Sequence, residues 1–203
     1  MNIINCEQGS PEWFAARAGI PTASRFDTVL ASGRGGGESK TRRAYMLTLI
    51  GELLTGEVQE GYTNPHMERG KAMEDDARAA YEFATGNTPE LVGFVRNHIA
   101  GASPDSLVGS DGLLEIKTKL PHLQLEVLLA DEMPSDHVLQ VQGQLWVTDR
   151  EFCDFVSYWP KLPLFVKRVY RDDASIKRIA DGVRQFVEEM HELKAVVAAK
   201  GAA

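Results

Sequence analysis

The feature that most constrains the fold is a short polar turn, Asp111-Gly112, between two apolar segments. An Asp-Gly pair in this setting is typical of a β-hairpin. The segment after the turn contains Glu115-Ile116-Lys117. Because side chains alternate along a strand, Glu115 and Lys117 should share one face while Ile116 points to the other. The sequence therefore predicts a hairpin that carries an acid and a base side by side.

The register of this hairpin decides whether Asp105 joins Glu115 and Lys117. With a two-residue turn, Asp105 would fall on the opposite face. A three-residue loop over 110–112, with Gly112 in the left-handed conformation, would place Asp105 opposite Lys117. We predict this second register. The residues expected on the core-facing side are then Val108, Leu114 and Ile116.

Two carboxylates on one face repel each other, and a divalent cation between them makes the arrangement favourable. A lysine beside such a cation can orient or deprotonate a water molecule. This layout suits the metal-assisted hydrolysis of a phosphodiester. A solvated hairpin with a Glu–Lys pair on its exposed face fits the same residues, and this stretch alone does not choose between the two.

Length and composition limit the alternatives. The chain has 203 residues, which suits one domain with a sizeable core. Its net charge of −7 argues against a general electrostatic grip on nucleic acid, so any DNA contact must use a local basic surface. Two cysteines provide no disulfide framework and no metal-ligand spacing. With no apolar run of about 18 residues, we expect no membrane association and a cytoplasmic location.

Hydrophobic periodicity predicts an α/β fold in one domain over residues 1–203, with a mixed central β-sheet flanked by helices. A glycine-rich flexible loop is expected at about 32–38, and an amphipathic C-terminal helix at about 174–199. Other helices are expected at about 39–55, 66–85 and 123–129, and strands at 91–96, 152–159 and 164–170.

Two polar residues stand in otherwise apolar helical stripes. Glu74 lies in the stripe of the helix at 66–85, where a carboxylate is costly unless it is paired or holds a metal. Gln142 lies in a later stripe with Val138, Val141 and Leu145. Each has an ordinary explanation, an edge position for Glu74 and backbone hydrogen bonds for Gln142, beside a role in a functional site.

Basic and hydroxyl residues near the N-terminus predict an anion site. Thr22 and Ser24 open a short helix close to Arg17, although both hydroxyls could simply be helix caps. The densest basic cluster follows the glycine-rich loop and is a candidate contact for the DNA backbone; it consists of Arg34, Lys40, Arg42 and Arg43. The loop lacks the Gly-Lys-Ser/Thr ending of a nucleotide-binding P-loop and fits a mobile surface loop.

The order of these motifs resembles a known family. Pro104-Asp105 followed by Glu115-Ile116-Lys117 fits the pattern of PD-(D/E)xK nucleases. Three flanking blocks resemble those of the phage lambda exonuclease and YqaJ-type viral recombinase family, over roughly residues 10 to 150. These blocks are Trp13 to Ser24 with Arg17, Gly70 to Arg78 with Glu74, and Gln140 to Thr148 with Gln142.

The resemblance implies a PD-(D/E)xK nuclease-like fold and a 5′→3′ exonuclease that degrades one strand of duplex DNA to 5′-mononucleotides. Asp105, Glu115 and the Ile116 carbonyl would bind Mg²⁺, as two ions that Mn²⁺ could replace. Lys117 would orient or activate the attacking water, while Glu74 and Gln142 would complete the pocket. The 5′-phosphate and DNA contacts would come from Arg17, Ser24, Thr22, Arg34, Arg42 and Arg43.

The same resemblance implies a ring-shaped homotrimer on duplex DNA ends that carry a 5′-phosphate. It also implies a single-strand annealing protein as partner, in recombination encoded by a phage or prophage in a bacterial cytoplasm. Two alternatives remain open: a PD-(D/E)xK endonuclease of another type, and a non-catalytic module that binds DNA ends. Relatives with a four-cysteine iron–sulfur cluster are excluded, because the chain has two cysteines.

Overall fold

A computed structural model of the protein describes residues 1–58 and 65–201. The described part of the chain contains seven α-helices and eight β-strands. The helices are α1 Pro11–Arg17, α2 Phe26–Val29, α3 Lys40–Thr55, α4 Pro65–Thr85, α5 Pro121–Ala130, α6 Val138–Thr148 and α7 Asp173–Gly201. The strands are β1 Asn2–Ile4, β2 Pro89–Glu90, β3 Phe94–Arg96, β4 Gly101–Ala102, β5 Ser106–Val108, β6 Gly112–Thr118, β7 Phe152–Tyr158 and β8 Phe165–Tyr170. Short 3-10 turns cover Ala23–Arg25, Arg34–Gly36 and Ser135–His137.

The central sheet has five strands in the order β2-β5-β6-β7-β8. β6 and β7 are parallel, because the long connection through α5 and α6 returns the chain to the same edge, and the other neighbours are antiparallel. The expected mixed sheet flanked by helices is therefore confirmed. The strand expected at 91–96 is shorter than predicted and does not adjoin the hairpin. It is β3, which lies between β1 and β4 in a separate antiparallel sheet.

The hairpin of β5 and β6 has a three-residue loop, but its predicted register is wrong by two residues. Val108 pairs with Gly112, so the loop is 109–111, and its left-handed residue is Gly109 with φ of +54°. Gly112 belongs to the strand, where a Cβ atom would lie 2.3 Å from the ring of Phe152. Its missing side chain thus allows close packing. A shift of two residues preserves the faces, and continuing the register places Asp105 opposite Glu115.

The two faces of β6 are both covered. Leu114 and Ile116 point to a core beneath α4 that includes Ala77 and Tyr81. Leu113 points to the other face, into a core with Val141 and Leu145 of α6. Glu115 and Lys117 share the face of Leu113, so the sheet directs them toward α6.

A third core lies among α2, α3, α6 and α7, and includes Phe26, Leu49 and Phe186. The start of α1 is fixed by Ser10, whose side chain accepts a hydrogen bond from the Trp13 N–H at 3.2 Å. α7, in the region of the amphipathic helix expected at about 174–199, packs against α2, α3 and α6. Within the described residues, no helix combines the length and the apolar character that a bilayer crossing requires.

Candidate active site

Glu115 is the centre of a buried polar cluster on the α6 face of β6. The residue is only 2% exposed. The carboxylate Oε1 accepts hydrogen bonds from Lys117 Nζ at 2.5 Å and from Gln140 Nε2 at 2.6 Å. The second oxygen, Oε2, accepts from Gln144 Nε2 at 2.6 Å. Strand alternation brings Glu115 and Lys117 together, and α6 supplies the two amides.

Asp105 lies beside this cluster, just before β5. Its backbone N–H donates to the Leu114 carbonyl at 3.1 Å, and its Oδ2 accepts from the Ile116 N–H at 2.5 Å. Burial, followed by the negative charges of Glu115 and Glu74, raises the pKa of Asp105 well above its ordinary value. The predicted convergence of Asp105, Glu115 and Lys117 is thus present in the structure, and the two carboxylates repel each other.

Lys117 is the cation that balances this cluster. Burial opposes its charge, but Glu115 and Asp105 outweigh burial and raise the pKa of the ammonium. Lys117 also donates to Gln140 Oε1 at 3.3 Å. The lysine is therefore protonated in this arrangement and can act as a donor and a positive charge.

Glu74 approaches the cluster from α4. Arg78 Nη2 donates to Glu74 Oε1 at 2.5 Å, and Arg78 Nε donates to Ser106 Oγ at 3.0 Å. Ser106 in turn donates to the Asp105 carbonyl at 2.5 Å. Glu74 influences the pKa of Asp105 and is held one helical turn from Arg78. It lies close to the centre, as the sequence predicted, and is oriented by an arginine that the sequence did not single out.

The prediction for Gln142 is wrong. Its Nε2 donates to the Tyr170 carbonyl at 2.9 Å and its Oε1 accepts from the Asp172 N–H at 2.9 Å, so it links β8 to the start of α7. Gln140 and Gln144 reach Glu115 because they lie four residues apart on the opposite side of α6. Stripe analysis missed Gln144, since α6 is buried against the sheet, α2 and α7 and has no single apolar side. The spacing i, i+4 was the available signal.

A cleft of about 150 Å³ opens beside the carboxylates, and Gln140 and Gln144 form its wall on that side. Arg17 lies in this cleft, where its Nη1 donates to Ser103 Oγ at 3.2 Å and its Nη2 to Thr22 Oγ1 at 3.5 Å. Its guanidinium also stacks on Trp13, 4.0 Å from the ring centroid. The other polar residues of the lining include Thr22, Ser24, Ser103 and Gln8. The structure thus brings Arg17, Thr22 and Ser24 together, next to Glu115.

Arg17 is a half-buried cation in the cleft. Burial lowers the pKa of its guanidinium, while Tyr45 and Glu52 act in the opposite direction. Among the side chains that the structure describes, no carboxylate forms an ion pair with it. Ser103 was not predicted as a site residue, although it stands two positions before Asp105 and so shares its face. An unpaired cation among hydroxyls favours an anionic ligand.

The segment that carries Thr22 and Ser24 is fixed from α3. Glu52 is 9% exposed and its Oε2 accepts from the Gly19 N–H at 2.8 Å. The Thr22 N–H donates to the Tyr45 hydroxyl at 3.2 Å. Gly19 adopts φ of +67°, and a Cβ atom there would lie 2.3 Å from the Leu53 side chain. The turn before Thr22 therefore requires glycine.

The basic cluster predicted to contact DNA is only partly available. The structure corrects the expected DNA contact of Arg42. Its Nη1 pairs with Glu189 at 2.6 Å, which joins α3 to α7, and its Nε donates to the Val29 carbonyl at 3.0 Å. Arg43 pairs with Glu38 at 3.1 Å on the surface. Arg34 is exposed and forms no ion pair with the described residues. Arg42 thus has a structural role, and Arg34 and Arg43 stay candidates.

The donor set at the centre fits a hard divalent cation. Asp105 and Glu115 offer carboxylate oxygens, the type of ligand that Mg²⁺ prefers. The Ile116 N–H points to Asp105, and the N–H and C=O of one strand residue point to the same side, so the Ile116 carbonyl faces that edge too. Within the described residues, no group of three or more His, Cys, Asp or Glu side chains is arranged to hold a metal. The two carboxylates and the carbonyl are therefore candidate ligands for such a cation.

Comparisons with known proteins identify a family and related exonucleases. A sequence model of the YqaJ-like viral recombinase domain matches residues 12–151. The alkaline exonuclease LHK-Exo from Laribacter hongkongensis is 36% identical, with a TM-score of 0.86 over 95% of this chain and 98% of that protein. The structure of LHK-Exo in complex with dAMP gives 38% identity, a TM-score of 0.86 and the same coverage.

A third solved structure supports the fold alone. A phage-related exonuclease from Haemophilus somnus 129PT has a TM-score of 0.65 at 15% identity, over 88% of this chain and 96% of that one. The search of curated proteins gave no significant match. The nuclease fold is thus shared even where sequence identity is low.

Proposed function

The chain belongs to the YqaJ-like viral recombinase family, and from this premise we propose that it is a Mg²⁺-dependent 5′→3′ exonuclease of duplex DNA. It would degrade one strand from an end and release 5′-mononucleotides. The observation that carries the proposal is the position of the Arg17 cleft directly beside the Asp105–Glu115 centre, with Gln140 and Gln144 between them. An anion site separated from a hydrolytic centre by two glutamine side chains suits removal of one nucleotide at a time.

Asp105, Glu115 and the Ile116 carbonyl would hold the metal ions, two Mg²⁺ in our proposal, with Mn²⁺ as a substitute. Bound there, Mg²⁺ would lower the pKa of a water and stabilise negative charge on the leaving 3′-oxygen. The mutual repulsion of the two carboxylates supports this assignment, because a cation between them removes it. Lys117 would donate a hydrogen bond to the attacking water and orient it. Glu74, fixed by Arg78, would complete the pocket on the α4 side.

Arg17, Ser24 and Thr22 would bind the 5′-phosphate of the terminal nucleotide, together with Ser103. The guanidinium of Arg17, which pairs with no carboxylate in the described part of the chain, and the hydroxyls around it support this role. The complex of LHK-Exo with dAMP supports a mononucleotide as the product. Anchoring the terminal phosphate here would place the next phosphodiester at Asp105 and Glu115. Arg34 and Arg43 remain candidates for contacts with the DNA backbone.

We also propose a ring-shaped homotrimer around DNA and a single-strand annealing protein as partner in phage-type recombination. Membership of a viral recombinase family supports the recombination role. A closed ring would hold the enzyme on DNA despite a net charge of −7. Sedimentation equilibrium, with and without duplex DNA, tests the trimer; a monomer in both conditions would refute it.

The decisive experiment compares linear duplexes with and without a 5′-phosphate, in Mg²⁺ or in chelator. We expect release of 5′-mononucleotides that requires Mg²⁺ and is strongly favoured by the 5′-phosphate. In Arg17→Met the 5′-phosphate should lose its effect while slow hydrolysis persists. Equal cleavage of 5′-hydroxyl and 5′-phosphate ends by the unmodified enzyme would remove the assignment of the cleft.

Two further substrates separate the alternatives. Cleavage of closed circular DNA would identify an endonuclease of the same fold. Binding of DNA ends without any hydrolysis would identify a non-catalytic module. Lys117→Ala sharpens the second case, because an exonuclease should lose hydrolysis in this variant and keep end binding.

A further inference from the structure

Trp13 links two of the residues that form the Arg17 cleft. Its indole Nε1 donates to Ser103 Oγ at 2.9 Å, and the Arg17 guanidinium lies over its ring, with Cζ 4.0 Å from the ring centroid. Trp13 and Arg17 are four residues apart on α1, so they share one face of that helix. One side chain therefore contacts both the cation and a hydroxyl group of the proposed phosphate site.

The position of Trp13 is fixed at the start of α1. Its backbone N–H donates to the Ser10 hydroxyl that caps the helix. Its ring meets the ring of Phe14 edge-on, with the centroids 5.0 Å apart. The cap restrains the backbone and the aromatic contact restrains the side chain. The indole N–H is thus held in one direction, toward Ser103.

The hydrogen bonds at Ser103 determine where its own proton can point. Ser103 Oγ accepts from Trp13 Nε1 and also from Arg17 Nη1, at 3.2 Å. A hydroxyl oxygen has two acceptor lone pairs and one donor proton. The two N–H groups occupy both lone pairs, and no side chain or carbonyl in the described part of the chain accepts the Ser103 proton. Because Ser103 lines the cleft, this proton is available to a ligand there.

The stacking contact also determines how Arg17 is presented to a ligand. Trp13 covers one face of the guanidinium, while Nη1 donates to Ser103 and Nη2 to Thr22. The N–H groups of a guanidinium lie in its plane, where they match the oxygens of a phosphate. An anion that binds them therefore approaches along the edge of the group. Ser103 lies at this edge, because Nη1 contacts it, so its hydroxyl and Arg17 can reach the same anion.

We propose that Trp13 is a positioning residue that directs the Ser103 hydroxyl proton and the Arg17 guanidinium toward one phosphate. This role rests on the proposed function, because it takes the 5′-phosphate as the ligand of the cleft. With the indole N–H in place, Ser103 can only donate, so the site favours a ligand whose oxygens only accept, as in a phosphate dianion. Without the indole N–H, Ser103 can rotate and also accept a hydrogen bond. Trp13 therefore contributes to the preference for a 5′-phosphate over a 5′-hydroxyl end.

The test measures kcat/KM for linear duplexes that end in a 5′-phosphate or a 5′-hydroxyl. Trp13→Phe keeps an aromatic ring beside Arg17 and removes the N–H. The ratio of the two kcat/KM values should fall about tenfold in Trp13→Phe and about tenfold in Ser103→Ala. The double variant should show no further fall, because both changes remove the same oriented proton. A merely structural role of Trp13 would slow cleavage of both ends equally and leave the ratio unchanged.

A binding measurement separates this role from exonuclease activity. Calorimetry with dAMP and with deoxyadenosine, both in chelator, gives the contribution of the phosphate to affinity without hydrolysis. Trp13→Phe and Ser103→Ala should each weaken the binding of dAMP about tenfold and leave that of deoxyadenosine unchanged. Equal affinity of the unmodified protein for dAMP and deoxyadenosine would overturn the phosphate site and the role of Trp13 with it.

Matched variants make the result specific. Trp159→Phe is the same chemical change outside the cleft, directly after β7, and should leave the ratio unchanged. Ser103→Thr keeps the hydroxyl and should retain more of the preference than Ser103→Ala. Trp13→Leu removes the ring as well as the N–H, and should lower the ratio about fivefold below that of Trp13→Phe. Thermal unfolding shows whether each variant is folded. If Trp13→Phe is not, 3-benzothienylalanine at position 13 keeps the bicyclic ring without the N–H and gives the same comparison.

An unchanged ratio in the folded Trp13→Phe protein would overturn the positioning role. So would additive effects in the double variant, because they would show that the indole N–H acts without Ser103. Failure of the proposed function looks different, since the unmodified enzyme would then release no mononucleotides. If dAMP binding still depended on Trp13 and Ser103 in that case, the positioning role would stand and the exonuclease assignment would fall.

Discussion

The two faces of the β6–β7 pair each bury a carboxylate, and they neutralise it in different ways. On the α4 face, Asp154 is 2% exposed and accepts two hydrogen bonds from Arg168, each 2.8 Å long, and one from Tyr81 at 2.6 Å. On the α6 face, Glu115 is equally buried but pairs, among the described residues, with the single cation Lys117, and Asp105 lies beside it.

The difference separates a structural carboxylate from a functional one. Asp154 has a guanidinium that matches its geometry and its charge, so nothing further is needed there. Glu115 and Asp105 together carry more negative charge than Lys117 balances, and the two glutamines that contact Glu115 line a cleft. Burial alone therefore does not identify a site. The sign of the charge that remains after local pairing is more informative.

The largest effects should come from isosteric changes at the two carboxylates. Glu115→Gln should reduce mononucleotide release by the folded protein by about 10³-fold or more, because it removes a metal ligand. Asp154→Asn should lower the free energy of unfolding by about 3 kcal/mol, since it breaks a buried ion pair, and should leave the folded enzyme active. Urea unfolding and single-turnover cleavage measure both.

The contrast between the faces would fail if the two variants exchanged behaviour. A folded Asp154→Asn protein without activity would show that the α4 face takes part in the reaction. Glu115→Gln with normal hydrolysis would remove the centre altogether.

A second pair of variants sharpens the contrast within α6. Gln144→Leu should reduce hydrolysis by about 10²-fold, because Glu115 loses a donor that orients it. Gln142→Leu should destabilise the protein by about 1–3 kcal/mol, because the Tyr170 carbonyl and the Asp172 N–H lose their partner, and it should not change turnover. Cleavage rates normalised to the folded fraction distinguish the two. Loss of turnover in Gln142→Leu alone would restore the original prediction.

These residues show which parts of the fold and of the site can be predicted from the sequence. Alternation along β6 was enough to place Glu115 and Lys117 on one face, and the mixed sheet followed from the order of elements. The loop register was missed because a glycine can either form a turn or allow a close contact. Gly109 forms the turn, and Gly112 allows the ring of Phe152 to approach the strand. A local sequence pattern does not distinguish these uses.

Long-range partners account for the other errors. Arg42 looked like a DNA contact because it lies in a basic cluster, but Glu189 on α7 neutralises it from 147 residues away. Gln142 was chosen over Gln144 because a single apolar stripe assumes that one side of a helix faces solvent, and α6 is buried against several elements. The small sheet was missed because β1 and β4, the partners of β3, have only three and two residues.

The third effect concerns Asp105 in the absence of a divalent metal. Asp105→Asn keeps an oxygen that can accept from the Ile116 N–H and removes the repulsion with Glu115. In chelator we expect this variant to be more stable than the unmodified protein by about 1 kcal/mol. Mg²⁺ should raise the melting temperature of the unmodified protein and leave that of the variant unchanged. Lower stability of the variant in chelator would show that the carboxylates are already balanced.

The smallest expected effect is the pH dependence of the stability that the Tyr81–Asp154 hydrogen bond provides on the α4 face. Burial, and then the hydrogen bond and charge of Asp154, raise the pKa of Tyr81 to about 12, above its ordinary value of 10.0. Between these pH values the unfolded tyrosine loses its proton while the folded one keeps it, so the stability that Tyr81 provides is lost as pH rises. Tyr81→Phe should cost about 1 kcal/mol at pH 8, where the hydrogen bond is intact. The difference between the two proteins should shrink in urea unfolding at about pH 11, and a constant difference would mean that Asp154 does not hold the Tyr81 proton.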